Sequence, residues 1–151
     1  MAEQQSQQLP TIVWLHGDNL NPYGPALTAY PGAPAIFVWD DALLEEWGIT
    51  LKRVAFIYEC LLELPVTIRR GDVAAEVVAF AREHGATQVA TAESPSPRFG
   101  TILAEIERSL VVEELSEADF ARYPGKLDLT RFSRYWNKVQ PSVFGRGPLR
   151  E

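Results

Sequence analysis

Two side chains able to hold or move a proton, His16 and Asp18, stand two residues apart where the apolar run Ile12-Val13-Trp14-Leu15 stops at the polar turn His16-Gly17-Asp18-Asn19. A buried strand that ends in small polar groups builds a ligand-facing edge in open α/β sheets. His16 as donor and Asp18 as acceptor, with Asn19 beside them, would face Glu93 and Ser94, which follow another strand-like run, across a small-molecule crevice. Asp40, at the end of Ala35-Ile36-Phe37-Val38-Trp39, and Arg70, before Gly71-Asp72, join the same candidate edge. Arg70 offers a guanidinium to an acidic group of a ligand. Each residue also has a plain structural use: Asp18 accepts backbone N–H groups of its own turn, Asp40-Asp41 open a helix, and Gly71-Asp72 turn the chain and cap the next one. Acid/base catalysis by His16, Asp18 and Glu93 needs a pair aimed at a reacting atom. A small nucleotide-handling enzyme is the alternative that these residues leave open.

Other machinery is missing from the pattern. There is no GxGxxG, no Walker loop, no HExxH and no GxSxG, so nucleotide hydrolysis, zinc chemistry and ester cleavage lack their usual parts. The two histidines, His16 and His84, are too far apart in pattern to nominate a metal site, and His84 reads as a helix end. The single cysteine, Cys60, has no internal disulfide partner and lies in an apolar helical pattern, where a packed thiol is expected. Trp14 and Trp39 are expected in the core, and Trp47 at an edge.

The net charge of -6 conceals an asymmetry. Met1 to Gly125 carry 8 Lys+Arg against 18 Asp+Glu, whereas Lys126 to Glu151 carry 6 against 2. An acidic body repels a polyanion and argues against direct DNA binding by the body; the basic tail suits phosphates or an acidic protein surface. No run approaches the roughly 18 apolar residues of a membrane span, and the first ten residues lack the basic and apolar regions of a signal peptide. The expectation is a soluble, cytoplasmic protein without membrane contact.

The elements that must position these groups follow from periodicity. The opening strand from Thr11 is followed by Asn21-Pro22-Tyr23-Gly24-Pro25 and a short helix over Ala26–Tyr30, stopped by Pro31-Gly32. After the second strand, Val54, Ile57, Tyr58, Leu61 and Leu64 recur at helical spacing behind Thr50 as cap. Val66–Arg69 is a third strand, and Val73, Val77, Phe80, Ala81 and His84 mark a helix that Gly85 closes. Thr87–Thr91 is a fourth strand; Phe99, Ile102, Leu103 and Ile106 mark a helix; Leu110–Glu114 resembles a fifth strand. Ser116 with Asp119 imitates a capping box before a turn reaching Tyr123. Leu129, Phe132, Trp136 and Val139 form the narrow apolar stripe of a last helix whose other side carries Arg131, Arg134 and Lys138.

Strands alternating with helices predict an α/β fold: a Rossmann-like three-layer sandwich with a five-stranded parallel sheet of order 3-2-1-4-5 and a crevice between the first and fourth strands. Residues 1-10 are expected to be disordered, 11-140 to form the domain, and 141-151 to be a mobile tail.

Four collinear segments resemble the N-terminal α/β domain of the DNA photolyase and cryptochrome family: VWLHGDNLNPYGPAL, FVWDDALLEEWGITLKRVAFIYECLLEL, IRRGDVAAEVVAFAREHGATQVATAE and LTRFSRYWNK. In that family the first strand continues as Trp-Phe-Arg-Arg-Asp-Leu-Arg, with an Asp-Asn pair beyond it. Here Trp14 and Asp18 match, while His16, Gly17 and Leu20 replace the basic positions and Tyr23-Gly24 the pair. The family's Asn-Glu pair after the fourth strand, which helps hold an antenna chromophore, reads Ala92-Glu93, so a flavin, folate or deazaflavin antenna has only part of its motif. The resemblance implies a stand-alone domain without the FAD-binding helical domain. It implies a non-catalytic role: binding a partner protein, a small planar or nucleotide-like ligand, or both. Leu129, Phe132 and Trp136 would anchor a partner, with Arg131, Arg134 and Lys138 as its rim. That partner would be a separate flavin protein, completing a split photolyase, or a second copy of the chain.

Overall fold

A computed structural model describes residues 9–117 and 123–144, which belong to two compact units, Met1–Glu117 and Ala118–Glu151. The first unit holds β1 (Thr11–Leu15), α1 (Pro25–Ala29), β2 (Ala35–Trp39), α2 (Asp41–Glu46), α3 (Leu51–Leu62), β3 (Thr67–Arg70), α4 (Val73–Glu83), β4 (Gln88–Ala92), α5 (Pro97–Ile106) and β5 (Val111–Leu115). The second holds α6 (Phe132–Val143). All strand pairs are parallel and the sheet order is β3-β2-β1-β4-β5, as the alternation predicts.

Side-chain alternation along β1 divides the core into two layers. Ile12 and Trp14 point to one face, where Val77 and Phe80 of α4 and Leu103 and Ile106 of α5 cover them together with Ile36 and Val89. Val13 and Leu15 point to the other, against Phe37, Ala90, Ala26 of α1 and Leu61 of α3. Being buried on both faces explains why β1 and β2 read as nearly continuous apolar runs rather than alternating ones.

Helix starts obey cap chemistry. Asp40 accepts from Leu43 N at 3.2 Å, Thr50 from Arg53 N at 3.4 Å and Asp72 from Ala75 N at 2.8 Å. Gly71, at φ 144, makes the β3–α4 turn, and Gly85, at φ 63, stops α4 after its cap His84. The His84 ring Nδ1 donates back to the Phe80 carbonyl at 2.9 Å.

Strands three, four and five each begin one residue later than the apolar runs suggest. Val66 N–H donates to Leu64 O at 2.8 Å in a tight turn, and Thr87 N–H to Pro10 O at 2.9 Å, so the ladders start beyond them. In α3 only Leu61 is buried, and Tyr58, expected on the core face, is exposed. Cys60 is half-buried. The Ser116 hydroxyl donates to Glu93, and the capping box expected with Asp119 lies outside the described residues. Helix α6 continues through Pro141 to Val143, beyond the boundary at 140, and Leu129 precedes it, so the apolar stripe starts at Phe132. The expected disorder of 1-10 and the end of the tail fall mostly on residues outside those described.

Candidate functional site at the carboxyl edge of the sheet

Because Asp40 caps α2 immediately after β2, the helix starts above the strand ends and brings Leu43, Leu44 and Trp47 over them. From the other side α5 enters with Pro97 in its first turn, carrying Arg98, Phe99 and Ile102. A cavity of about 170 Å³ lies between them, over the ends of β1 and β2. Its aromatic lining is Trp14, Phe37, Trp39, Trp47 and Phe99; its polar lining includes His16, Asp18, Asp40, Arg53 and Arg98. Trp14 stacks on Phe99 with centroids 5.4 Å apart and planes 10° apart, and the His16 ring meets both edge-on at 5.6 and 5.1 Å. Trp39 is half-buried and packs edge-on against Phe37, so it belongs to the cavity wall and not wholly to the core.

The electrostatic centre of this wall is the Asp40–Arg98 pair. Arg98 Nε donates to Asp40 Oδ2 at 2.7 Å and Nη2 lies 2.6 Å from the same oxygen, while Oδ1 accepts the cap bond of α2. One carboxylate thus caps a helix and neutralises a guanidinium. The Asp40 side chain is 9% exposed and that of Arg98 33%, so the cation keeps an open side.

Across the crevice between β1 and β4 the protein bonds to itself. His16 Nε2 lies 2.8 Å from Ala92 O. A carbonyl only accepts, so Nε2 carries the proton and donates. Ser94 Oγ donates to Asp18 Oδ2 at 2.5 Å, and Thr91 Oγ1 to Trp14 O at 2.9 Å. The expected crevice is bridged at these points, and the open space reaches from His16, Asp18 and Ser94 over β1 to the end of β2.

Of the seven candidate ligand residues, His16, Asp18, Asp40 and Ser94 line the cavity; Asn19, Arg70 and Glu93 do not. Asn19 is 6% exposed and donates from Nδ2 to Glu117 Oε2 at 3.1 Å. The chain returns closely over it: a Cβ at Gly24 would lie 2.5 Å from Asn19 Oδ1. Arg70 is a surface residue paired with Asp41 at 2.6 Å, and Glu93 accepts from Ser116 at 2.7 Å. Arg53, Arg98 and Phe99 are among the lining residues that the pattern did not single out for a ligand. Arg98 carried a usable signal. A cation in the first turn of a helix opposes the macrodipole and therefore calls for a carboxylate partner nearby.

A bacterial class III photolyase from Agrobacterium tumefaciens is similar to this chain in structure, with a TM-score of 0.52 and 20% sequence identity over 85% of the chain. The fold is that of part of a photolyase. The match spans 30% of that photolyase, so the chain covers less than a third of its length. No family model matches the chain, and no curated protein matches it in sequence. The residue that the resemblance offers to an antenna chromophore, Glu93, is held by Ser116 outside the cavity. The residues of this photolyase-like domain therefore do not fit that part of an antenna site. Among the described residues, no group of three His, Cys, Asp or Glu side chains is placed to hold a metal ion, and no helix is long and apolar enough to cross a membrane.

In the second unit, Phe132 and Trp136 stack with centroids 5.9 Å apart and planes 14° apart, and Phe144 meets Trp136 edge-on at 6.1 Å. Its basic residues are largely engaged locally. Arg134 pairs with Asp128 at 2.8 Å and Lys138 donates to Lys126 O at 3.3 Å, whereas Arg131, the N-cap residue of α6, makes no side-chain cap bond. Asp128 also accepts from Thr130 Oγ1 and N, at 2.5 and 3.0 Å. The Thr130 hydroxyl, then Arg134, hold its carboxyl down at about 2 from a usual 3.8. Leu129 and Phe132 are exposed.

Proposed function

We propose that this photolyase-like domain is a non-catalytic, cytoplasmic binding module that takes a small planar, nucleotide-like ligand in the cavity over β1 and β2. The observation that carries the reading is the lining itself. Five aromatic residues, Trp14, Phe37, Trp39, Trp47 and Phe99, offer π-faces and edges to a flat ring system, and Arg53 and Arg98 offer cations to an acidic group. The absence of catalysis is supported by the use already made of the candidate acid and base: His16 donates to Ala92 and Asp18 accepts from Ser94. Titration with FMN, and separately with AMP, followed by tryptophan fluorescence, tests the reading. Saturable quenching that weakens in Trp47→Ala and Arg53→Gln supports it. No saturable change with either ligand overturns it, and turnover of a nucleotide that His16→Ala abolishes without loss of folding supports the enzyme alternative instead.

The stacked, partly exposed aromatics of α6 favour a second component of the same reading, a protein partner anchored by Phe132 and Trp136 with Leu129, Arg131, Arg134 and Lys138 around them. Co-expression with a separately encoded FAD-binding photolyase chain tests it. A yellow complex lost in Trp136→Ala supports the split-photolyase form, and separate elution of the two chains rejects it.

A further inference from the structure

Helix α3 has two apolar faces, and only one is used by the core. Leu61 is fully buried and Val54 and Ile57 half-buried, all on the side towards the sheet. On another side Leu51, Ala55, Tyr58 and Leu62 recur at spacings of four, three and four residues, the repeat of a helix–helix seam. All four are exposed, Leu51 at 82% and Leu62 at 65%, and Phe56, at 64%, flanks them. A lone exposed leucine needs no explanation, but a seam-spaced row on one short helix marks a contact surface.

The charges beside this row select its occupant. Lys52 follows Leu51 and Glu59 follows Tyr58, so both edge the same side of the seam. Both are exposed, and among the described residues neither takes part in an ion pair. They are two helical turns apart, about 10 Å, too far to pair with each other. We propose that α3 is the seam of a two-fold symmetric homodimer in which two copies of the helix pack antiparallel. Leu51 then meets Leu62 of the second copy, and Ala55 meets Tyr58, small against large. Lys52 lies across from Glu59 of the second copy, and the symmetry axis makes that pair twice. One surface thus carries both the charge and its complement, which a surface built for an unrelated partner has no reason to do. A twelve-residue helix is about 18 Å long, so the contact is smaller than a standard interface and its dissociation constant is on the order of micromolar.

Charge reversal at exposed positions tests the pairing without disturbing the core. Sedimentation equilibrium of the full chain should show a monomer–dimer equilibrium, and Lys52→Glu or Glu59→Lys alone should weaken it by about tenfold or more, because each sets like charges against each other twice. Mixing the two variants should restore dimers, because one copy then carries two glutamates and the other two lysines. The double variant Lys52→Glu with Glu59→Lys should dimerise with itself and not with the unmodified chain. Circular dichroism of each variant should match that of the parent. A chain monomeric up to about 1 mM overturns the proposal. So does a dimer indifferent to both reversals, which lies on another surface, or single variants that fail to rescue each other while folding normally.

Discussion

The two halves of one sheet edge, separated by the width of a strand, have opposite characters. Over β1 and β4 the chain closes on itself through His16–Ala92 and Ser94–Asp18; over β1 and β2 it leaves a cavity walled by aromatics and one neutralised ion pair. The residues of β1 serve both, and the difference arises from the segment that leaves the neighbouring strand. After β4 an extended segment containing Glu93–Ser96 runs close enough for side chain to bond backbone. After β2 a capped helix starts at once and holds its side chains above the edge. A helix that begins at the strand end works as a spacer, and an extended loop as a seam.

The largest effect is expected on the open side. Arg98→Ala removes the partner of a nearly buried carboxylate and should cost about 3 kcal/mol, measured by urea denaturation, with recovery in the double variant Arg98→Met with Asp40→Asn. On the closed side, His16→Ala loses one hydrogen bond to a backbone carbonyl and two aromatic edge contacts, for about 2 kcal/mol. If His16→Ala proves the costlier, the bridge and not the ion pair is the anchor of the edge.

The contrast was only half legible in the residues. Strand and helix identity, the sheet order and the three side-chain caps follow from periodicity and from Asp40, Thr50 and Asp72, because local chemistry decides them. Which candidate faces the cavity depends on where loops return. Glu93 and Arg70 sit at strand ends as expected, yet each is taken by a neighbour, Ser116 or Asp41, whose approach no local pattern encodes. Tyr58 and Leu129 show the same limit, since helical spacing predicts a face but not whether the core or the helix extends that far.

A control lies away from both regions, at the start of β4. Tyr30 donates its hydroxyl to Glu113, and Gln88 Nε2 donates to Glu113 at 2.6 Å and to Tyr30 at 3.1 Å. The bond to Glu113, then burial, raise the phenol above its usual 10.0. A raised folded value means that this stabilisation is present below the unfolded value and lost as pH rises through the folded one. Glu113→Gln should move the tyrosine titration, followed by ultraviolet absorbance, back down while leaving both halves of the carboxyl edge unchanged. The smallest stability effect is expected for Trp47→Ala. At 59% exposure it should change unfolding by about 0.5 kcal/mol or less while removing much of any ligand-dependent fluorescence.

The central place of β1 has a further consequence for how the chain is made. Trp14 and Thr91, which bond across β1 and β4, are 77 residues apart, whereas β2 and β3 emerge from the ribosome much sooner. In a nascent chain β1, β2 and β3 are made well before β4, so the margin of β1 that β4 covers, Thr11–Trp14, lacks its partner over that interval. That margin is sealed only when residues up to Ala92 have been synthesised, so the length of chain between the two strands sets how long an apolar strand edge stays open to unwanted pairing.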